Sequence, residues 1–220
     1  MVRKDPQRLR VRFCRGEEVK FISHLDIMRL WQRALHRARI ALAYSEGFSP
    51  HPRISLAAPL PIGVTSEAEL MDISNTKWVS PHFFTKAMGQ QLPPGIEILQ
   101  VYQIALSLPS LQSQVRYAEY KVEVEAEKEP KDIETTLTSL LSLRHLPWQH
   151  QRDTGTRHYD LRALIDHLWL ASWRHPYCTI GMRLRCDSGG SGRPEQVATA
   201  LGFIHHPQSI HRTKLVLGTG

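Results

Sequence analysis

Between Arg8 and Phe13 the chain alternates without a break, Leu9, Val11 and Phe13 against Arg8, Arg10 and Arg12, and a period of two over this length reads as a strand with one apolar and one arginine face. The period then lengthens. Leu25, Met28, Trp31, Leu35 and Ala38 recur at helical spacing up to Arg39, while Arg29, Arg33 and Arg37 step by four down another face. Ser23 offers an N-cap with Asp26 three positions on, a variant of the capping box. The spacing therefore predicts a strand followed by an amphipathic helix with a basic stripe.

Gly47 and Pro50 break residues 44–51 into a turn, and residues 53–58 and 67–73 read as two strands around Pro59, Pro61 and Gly63. Ser80 and Pro81 open a second helix carrying Phe84, Met88 and Leu92, which stops at Pro93, Pro94 and Gly95 before a strand over 96–102. The order is β-α-β-β-α-β, the ferredoxin-like unit. Residues 104–116, rich in Ser, Gln and Leu, read as a boundary. A second series follows: a strand over 117–127, a helix over 130–143 with Ile133, Leu137, Leu140 and Leu141 inward, strands near 157–172 and 177–186, a short helix after Pro194 and a strand over 211–217. The predicted class is α+β, two tandem ferredoxin-like domains. The basic one spans 1–108, and the second spans 117–220 with an extra hairpin around Thr154 and Gly155.

With 220 residues, 41% hydrophobic and 22% charged, the chain can bury one large core or two compact ones, and wholesale disorder, collagen-like repeats and a disulfide scaffold are excluded. No apolar run reaches eighteen residues, and charges interrupt Met1 to Arg15 before a signal-peptide core forms, so a cytoplasmic protein is expected. Cys14, Cys178 and Cys186 fit neither a disulfide framework nor a C-x-x-C metal or redox site, and are read as reduced thiols. Charge is unevenly placed. Residues 1–60 hold 12 Lys and Arg against 5 Asp and Glu, whereas residues 61–220 hold 16 of each. Ten of those twelve cations are arginines, suited to bidentate phosphate contact and base stacking.

Three segments, Phe21-Ile22-Ser23-His24-Leu25-Asp26-Ile27-Met28-Arg29, Gly47-Phe48-Ser49-Pro50-His51-Pro52, and Leu60-Pro61-Ile62-Gly63 running to Ser66 and Glu69, together resemble a bacterial family, the radical SAM-linked domain of unknown function. In the second half the resemblance is carried by Tyr159-Asp160-Leu161-Arg162 and Gly192-Arg193-Pro194. It marks Ser23, His24, Asp26, Gly47, Phe48 and Pro50 as family-motif residues. It implies a partner, a cobalamin-binding-type radical SAM protein encoded separately, and a gene neighbourhood leaning towards RNA metabolism. The three cysteines cannot supply the closely spaced set that a radical SAM cluster needs, so the resemblance implies an accessory protein rather than the radical enzyme.

Arg29, Arg33 and Arg37, with His36 and Arg53, form the candidate phosphate-binding surface, since no carboxylate interleaves after Asp26. Arg10 and Arg12 are instead expected to pair across the sheet with Glu67 and Glu69. Phe48 could serve as a base-stacking platform, but the preferred reading anchors it in the core. His24 is the one catalytic candidate, as a general acid or base, although Ser23 and Asp26 are better explained as helix capping. Gly189 to Pro194 ends at a helix start where Arg193 could hold a phosphate, although a plain connection is preferred. His205, His206 and His211 lack accompanying ligands at zinc spacing, so neither metal nor cofactor is expected. Trp148, Trp169 and Trp173 are assigned to core or interdomain packing. The favoured function is a non-catalytic RNA-binding or substrate-presenting module. The rivals are a metal-independent ribonuclease, by fold analogy with CRISPR RNA-processing endoribonucleases, and a protein-protein adaptor for a radical SAM enzyme.

Overall fold

The computed structural model describes residues 6–126, 129–152 and 155–218. It is mixed α+β and divides into two compact units, one up to Val115 and joined by Gly218, the other over Arg116–Leu217. In the first, β1 (Gln7–Arg15), α1 (His24–Arg37), β2 (Ile54–Leu56), β3 (Thr65–Asn75), α2 (Pro81–Gly89) and β4 (Ile96–Ile104) follow in order, with a single turn, α3 (Leu111–Gln114), after them. β1 pairs antiparallel with both β3 and β4, and β2 pairs antiparallel with β3, so the strands lie in the order β4-β1-β3-β2.

The alternation in β1 has the expected result. Leu9, Val11 and Phe13 are fully buried against Ile27, Trp31, Ala34 and Leu35 of α1 and Phe84 and Met88 of α2. The Phe13 and Trp31 rings meet edge to face with centroids 4.9 Å apart, the arrangement that aromatic quadrupoles favour. The buried face of α1 is rotated from the expected one. Leu25 is 65% exposed and Ile27 takes the inward place, because residues two apart on a helix diverge by about 200° and the face is set by Ile27, Trp31, Ala34 and Leu35.

The arginine face of β1 also differs from expectation. The register places Arg10 opposite Asp72 and Phe13 opposite Glu69, so the predicted pairing of Arg10 and Arg12 with Glu67 and Glu69 gives way to one carboxylate. Arg10 Nε donates to Asp72 Oδ1 at 2.7 Å and Nη2 to Oδ2 at 3.0 Å, while Arg8 Nη2 reaches Oδ2 at 2.7 Å. Arg12 reaches the Glu67 carbonyl, at 3.4 Å, and no carboxylate among the described residues. Arg10 and Asp72 are both buried. The same two arginines fasten the segment after β4: Arg8 donates to the Leu108 and Pro109 carbonyls, and Arg10 to Gln114 Oε1.

The second unit contains β5 (Val115–Glu125), α4 (Pro130–Ser142), β6 (Pro147–Arg152), β7 (Gly155–Asp160), β8 (Ile165–Arg174), β9 (Tyr177–Asp187), β10 (Gly190–Ser191), α5 (Pro194–Ala200) and β11 (Ser209–Leu217). β9 pairs antiparallel with β5, β8 and β10, and β11 lies beside β5. β6 and β7 form a separate hairpin. Of the two residues expected at its tip, Gly155 opens β7 and Thr154 lies outside the described residues. Tyr120, Val122 and Val124 on β5 stand opposite Met182, Ile180 and Cys178 on β9, all buried. Gly181 lets the indole of Trp169 lie on bare backbone, since a Cβ there would come 1.9 Å from Trp169 Cε2. Trp148 and Trp169 are half-buried, and Trp173 is exposed, so core packing does not hold for Trp173. No helix among the described residues is long and apolar enough to cross a membrane.

Two stability outcomes follow from these environments. Asp72→Ala leaves the Arg10 guanidinium buried without its carboxylate and is expected to cost about 3–5 kcal/mol, read as a lower urea midpoint; the double variant Arg10→Met/Asp72→Leu should recover most of that loss. Burial pushes the Cys178 thiol up to about 11, so at pH 8 it stays protonated and should react with a disulfide reagent only after the protein is unfolded.

Candidate nucleic-acid interface

Ser23 caps α1 as expected: its Oγ accepts from the Asp26 backbone N–H at 3.2 Å and donates to Asp26 Oδ2 at 2.7 Å. Asp26 in turn accepts from Arg29 Nη1 at 3.1 Å. The Ser23 hydroxyl first, and Arg29 second, hold the Asp26 carboxyl below its ordinary range. Asp26 is therefore committed to Ser23 and Arg29. His24 is half-buried at the first position of the helix, and its Nδ1 has no hydrogen-bond partner among the described residues.

At the other end α1 closes with Arg39 in the left-handed region at φ 56°. Ile40 N–H donates to the Leu35 carbonyl at 3.1 Å and Arg39 N–H to His36 at 3.0 Å, the double bond pattern of a Schellman closure. Glycine usually fills this position, because an L side chain there costs about 1–2 kcal/mol. Buried Ile40 pins the turn, and Arg39 itself is exposed. The chain then runs extended beside the end of β3, with Ala43 N–H donating to the Ser74 carbonyl and Thr76 N–H to Ala41, both at 2.8 Å.

A narrow loop follows. Tyr44 bridges to Pro52, Ser45 N–H donates to the His51 carbonyl at 2.9 Å, and His51 N–H donates to Ser45 Oγ at 2.9 Å. At its tip Gly47 takes φ 112°, which a residue with a side chain rarely adopts, and Phe48 stands fully exposed. The expected burial of Phe48 is thus corrected: a loop closed on itself by Ser45 and His51 presents its apex to solvent.

α1 and the residues that follow it enclose an open groove of about 630 Å³, with Arg33, His36 and Arg37 on one wall and Leu42, Tyr44 and Pro52 on the other. The structure therefore brings together three of the residues singled out by charge, and adds Tyr44, 54% exposed. Arg37 is oriented by the loop after α2, donating from Nε to Gln91 Oε1 at 3.0 Å and from Nη2 to the Gln91 carbonyl at 2.8 Å. Arg29 lies outside the groove, turned towards Asp26, and exposed Arg53 follows Pro52. Arg193 belongs to the second unit, where its guanidinium is 3.9 Å from Glu195. Tyr44 and Gln91 escaped the sequence reading, since neither shares the period of the helix they serve.

Of the family-motif segments, the first and third meet: Gly63 N–H donates to the carbonyl of Lys20, the residue before Phe21, at 2.9 Å, and a Cβ on Gly63 would lie 3.8 Å from Phe21 Cε1. Phe21, Leu25 and Ile62 are exposed there. The chain belongs to the family described as "uncharacterized protein conserved in bacteria (DUF2344)", which matches residues 8–194. No curated protein matches it. Among solved structures it is similar to a chain of a Cbf5-Nop10-Gar1 complex and to one of an archaeal box H/ACA sRNP Nop10-Cbf5 complex. Each match has 10% identity and a TM-score of 0.48, over 94% of this chain and 48% of the other. The chain thus spans about half the length of those it matches. A putative glycine cleavage system transcriptional repressor is similar at 14% identity and a TM-score of 0.27, covering 94% of this chain and 96% of its own. Likenesses this remote leave function to the residues themselves.

Removing the cap tests the local electrostatics. Ser23→Ala is expected to cost about 1 kcal/mol and to let the Asp26 pKa rise towards its ordinary value in an NMR titration. The sign follows from the depressed carboxyl: its contribution is present above the unfolded pKa and is lost as pH falls through the folded one.

Proposed function

We propose that the protein is a non-catalytic RNA-binding module that works beside a separately encoded radical SAM enzyme, and that its two units are tandem ferredoxin-like domains. The observation that carries the RNA reading is the groove of Arg33, His36 and Arg37, faced by Tyr44, with Phe48 exposed at the tip of the loop that carries Tyr44. Cations tracking a backbone next to exposed aromatic rings are what a single strand requires, because phosphates supply charge and every base offers a face for stacking. The accessory role and its partner rest on the family resemblance. His24 is given no chemical step, since Asp26, the neighbouring carboxylate, is committed to Ser23 and Arg29.

Single-stranded RNA of mixed sequence, titrated over a range of salt, tests the reading. Affinity should fall steeply with salt, and Arg29→Glu/Arg33→Glu/Arg37→Glu should abolish binding. Phe48→Ala should weaken it by about 1–3 kcal/mol, the usual value of one stacked base. Unchanged affinity in the triple variant would overturn the proposed surface.

A further inference from the structure

The second unit carries a pocket that the proposed RNA groove does not use. In the β6–β7 hairpin His150 stands opposite Arg157 and Trp148 opposite Tyr159, so the period of two puts His150, Arg157 and Tyr159 on one face. With Arg185 and the stretch Gly189–Arg193, these residues line a pocket of about 230 Å³. Backbone approaches closely here because side chains are missing. A Cβ on Gly190 would come 2.6 Å from Leu164 Cδ2, and one on Gly189 2.4 Å from Arg185 Nη2. The two short stretches of the second half that carry the family resemblance, Tyr159–Arg162 and Gly192–Pro194, thus contribute to one site.

Three guanidiniums and an imidazole line this pocket against a single carboxylate, Asp160. Asp160 is already committed: it accepts from the Leu146 N–H at 2.8 Å and the Arg162 N–H at 3.0 Å, and lies 3.0 Å from His145 Nδ1. Arg185 is held by Asp187 at 2.9 Å. Among the described residues Arg193 has one acidic partner, Glu195 at 3.9 Å, and Arg157 lies over the Tyr159 ring, 5.8 Å from its centroid. The Tyr159 hydroxyl donates to Gln196 Oε1. Burial raises the Tyr159 pKa, and the charges of Arg193 and Arg157 act against that rise, which places both cations near the phenol.

We propose that this pocket binds a phosphate monoester, the dianionic group carried by a sugar phosphate or by the 5′ end of a nucleic acid strand. The guanidinium fork of Arg157, with no carboxylate partner among the described residues, and that of Arg193, whose Glu195 lies at the outer limit of an ion pair, match two charges and the several oxygens of that group. The Ser191 hydroxyl adds a neutral donor. The volume holds a phosphate with a pentose and is below the usual range for larger organic ligands.

The experiment titrates the full chain, at low ionic strength in a calorimeter, with ribose 5-phosphate and with ribose. Ribose 5-phosphate should bind and ribose should not. Arg157→Gln and Arg193→Gln should each weaken binding at least tenfold, Arg193→Lys should lose less, and Arg174→Gln, at the exposed end of β8, should change nothing. Thermal unfolding of each variant separates a lost ligand contact from a lost fold, and the Arg193→Lys result stands if a Gln variant fails to fold. The source of the phosphate is read in the Arg29→Glu/Arg33→Glu/Arg37→Glu background, where the groove is disabled. There, preference for a 5′-phosphorylated over a 5′-hydroxyl oligoribonucleotide assigns the pocket to strand ends, and binding of ribose 5-phosphate without that preference assigns it to a free sugar phosphate. No binding of either phosphate, or binding that both Gln substitutions leave unchanged, overturns the proposal. Because groove and pocket are altered in separate variants, failure of one reading leaves the other measurable.

Discussion

Asp72 is a single carboxylate that accepts three charge-assisted hydrogen bonds from two arginines of the adjacent strand. A lone charge in that buried position would carry a heavy desolvation cost, and the bidentate fork of Arg10 offsets it. The pairing is possible only in the register that sets Arg10 opposite Asp72. A slip of β1 by one residue would turn Arg10 to the core face, away from the carboxylate, and Leu9, Val11 and Phe13 to solvent. One ion pair therefore helps to fix the strand order of the first unit, the orientation of its core, and, through Arg8 and Arg10, the course of the segment after β4.

This changes the meaning of the charge asymmetry. Part of the arginine excess in the first quarter of the sequence is internal: Arg8 and Arg10 serve Asp72, and buried Arg15 donates to the Val19 and Ile22 carbonyls. What reaches the surface is the helical stripe together with Arg12, Arg39 and Arg53. Arg29 is paired locally with Asp26, but in an exposed setting where a partner of higher charge density competes well.

Local periodicity was legible because burial follows it directly. The β1 alternation, the Ser23 cap, the Phe84 and Met88 face and the inward Ile133, Leu137 and Leu140 all stand where their spacing puts them. Facts that depend on pairing between distant segments were not legible. Nothing near Arg10 announces that its carboxylate lies at residue 72 rather than 67 or 69, because register is a property of two strands. Phe48 misled for a related reason: an aromatic between Gly and Pro has no period to follow, so its exposure depends on how the loop closes. The pocket of the second unit joins a hairpin to a glycine-rich turn some thirty residues away, and its arginines, 157, 185 and 193, share no common spacing.

The tethering of Arg37 to Gln91 has a consequence for time rather than for affinity alone. A free arginine must surrender its rotamers when a ligand arrives, whereas this one has already given them up to two hydrogen bonds within the protein. Its Nη1 donors stay available, aimed from a fixed base. An anion meeting it loses little to ordering the protein, and such pre-organisation is felt mainly in how slowly a bound partner departs.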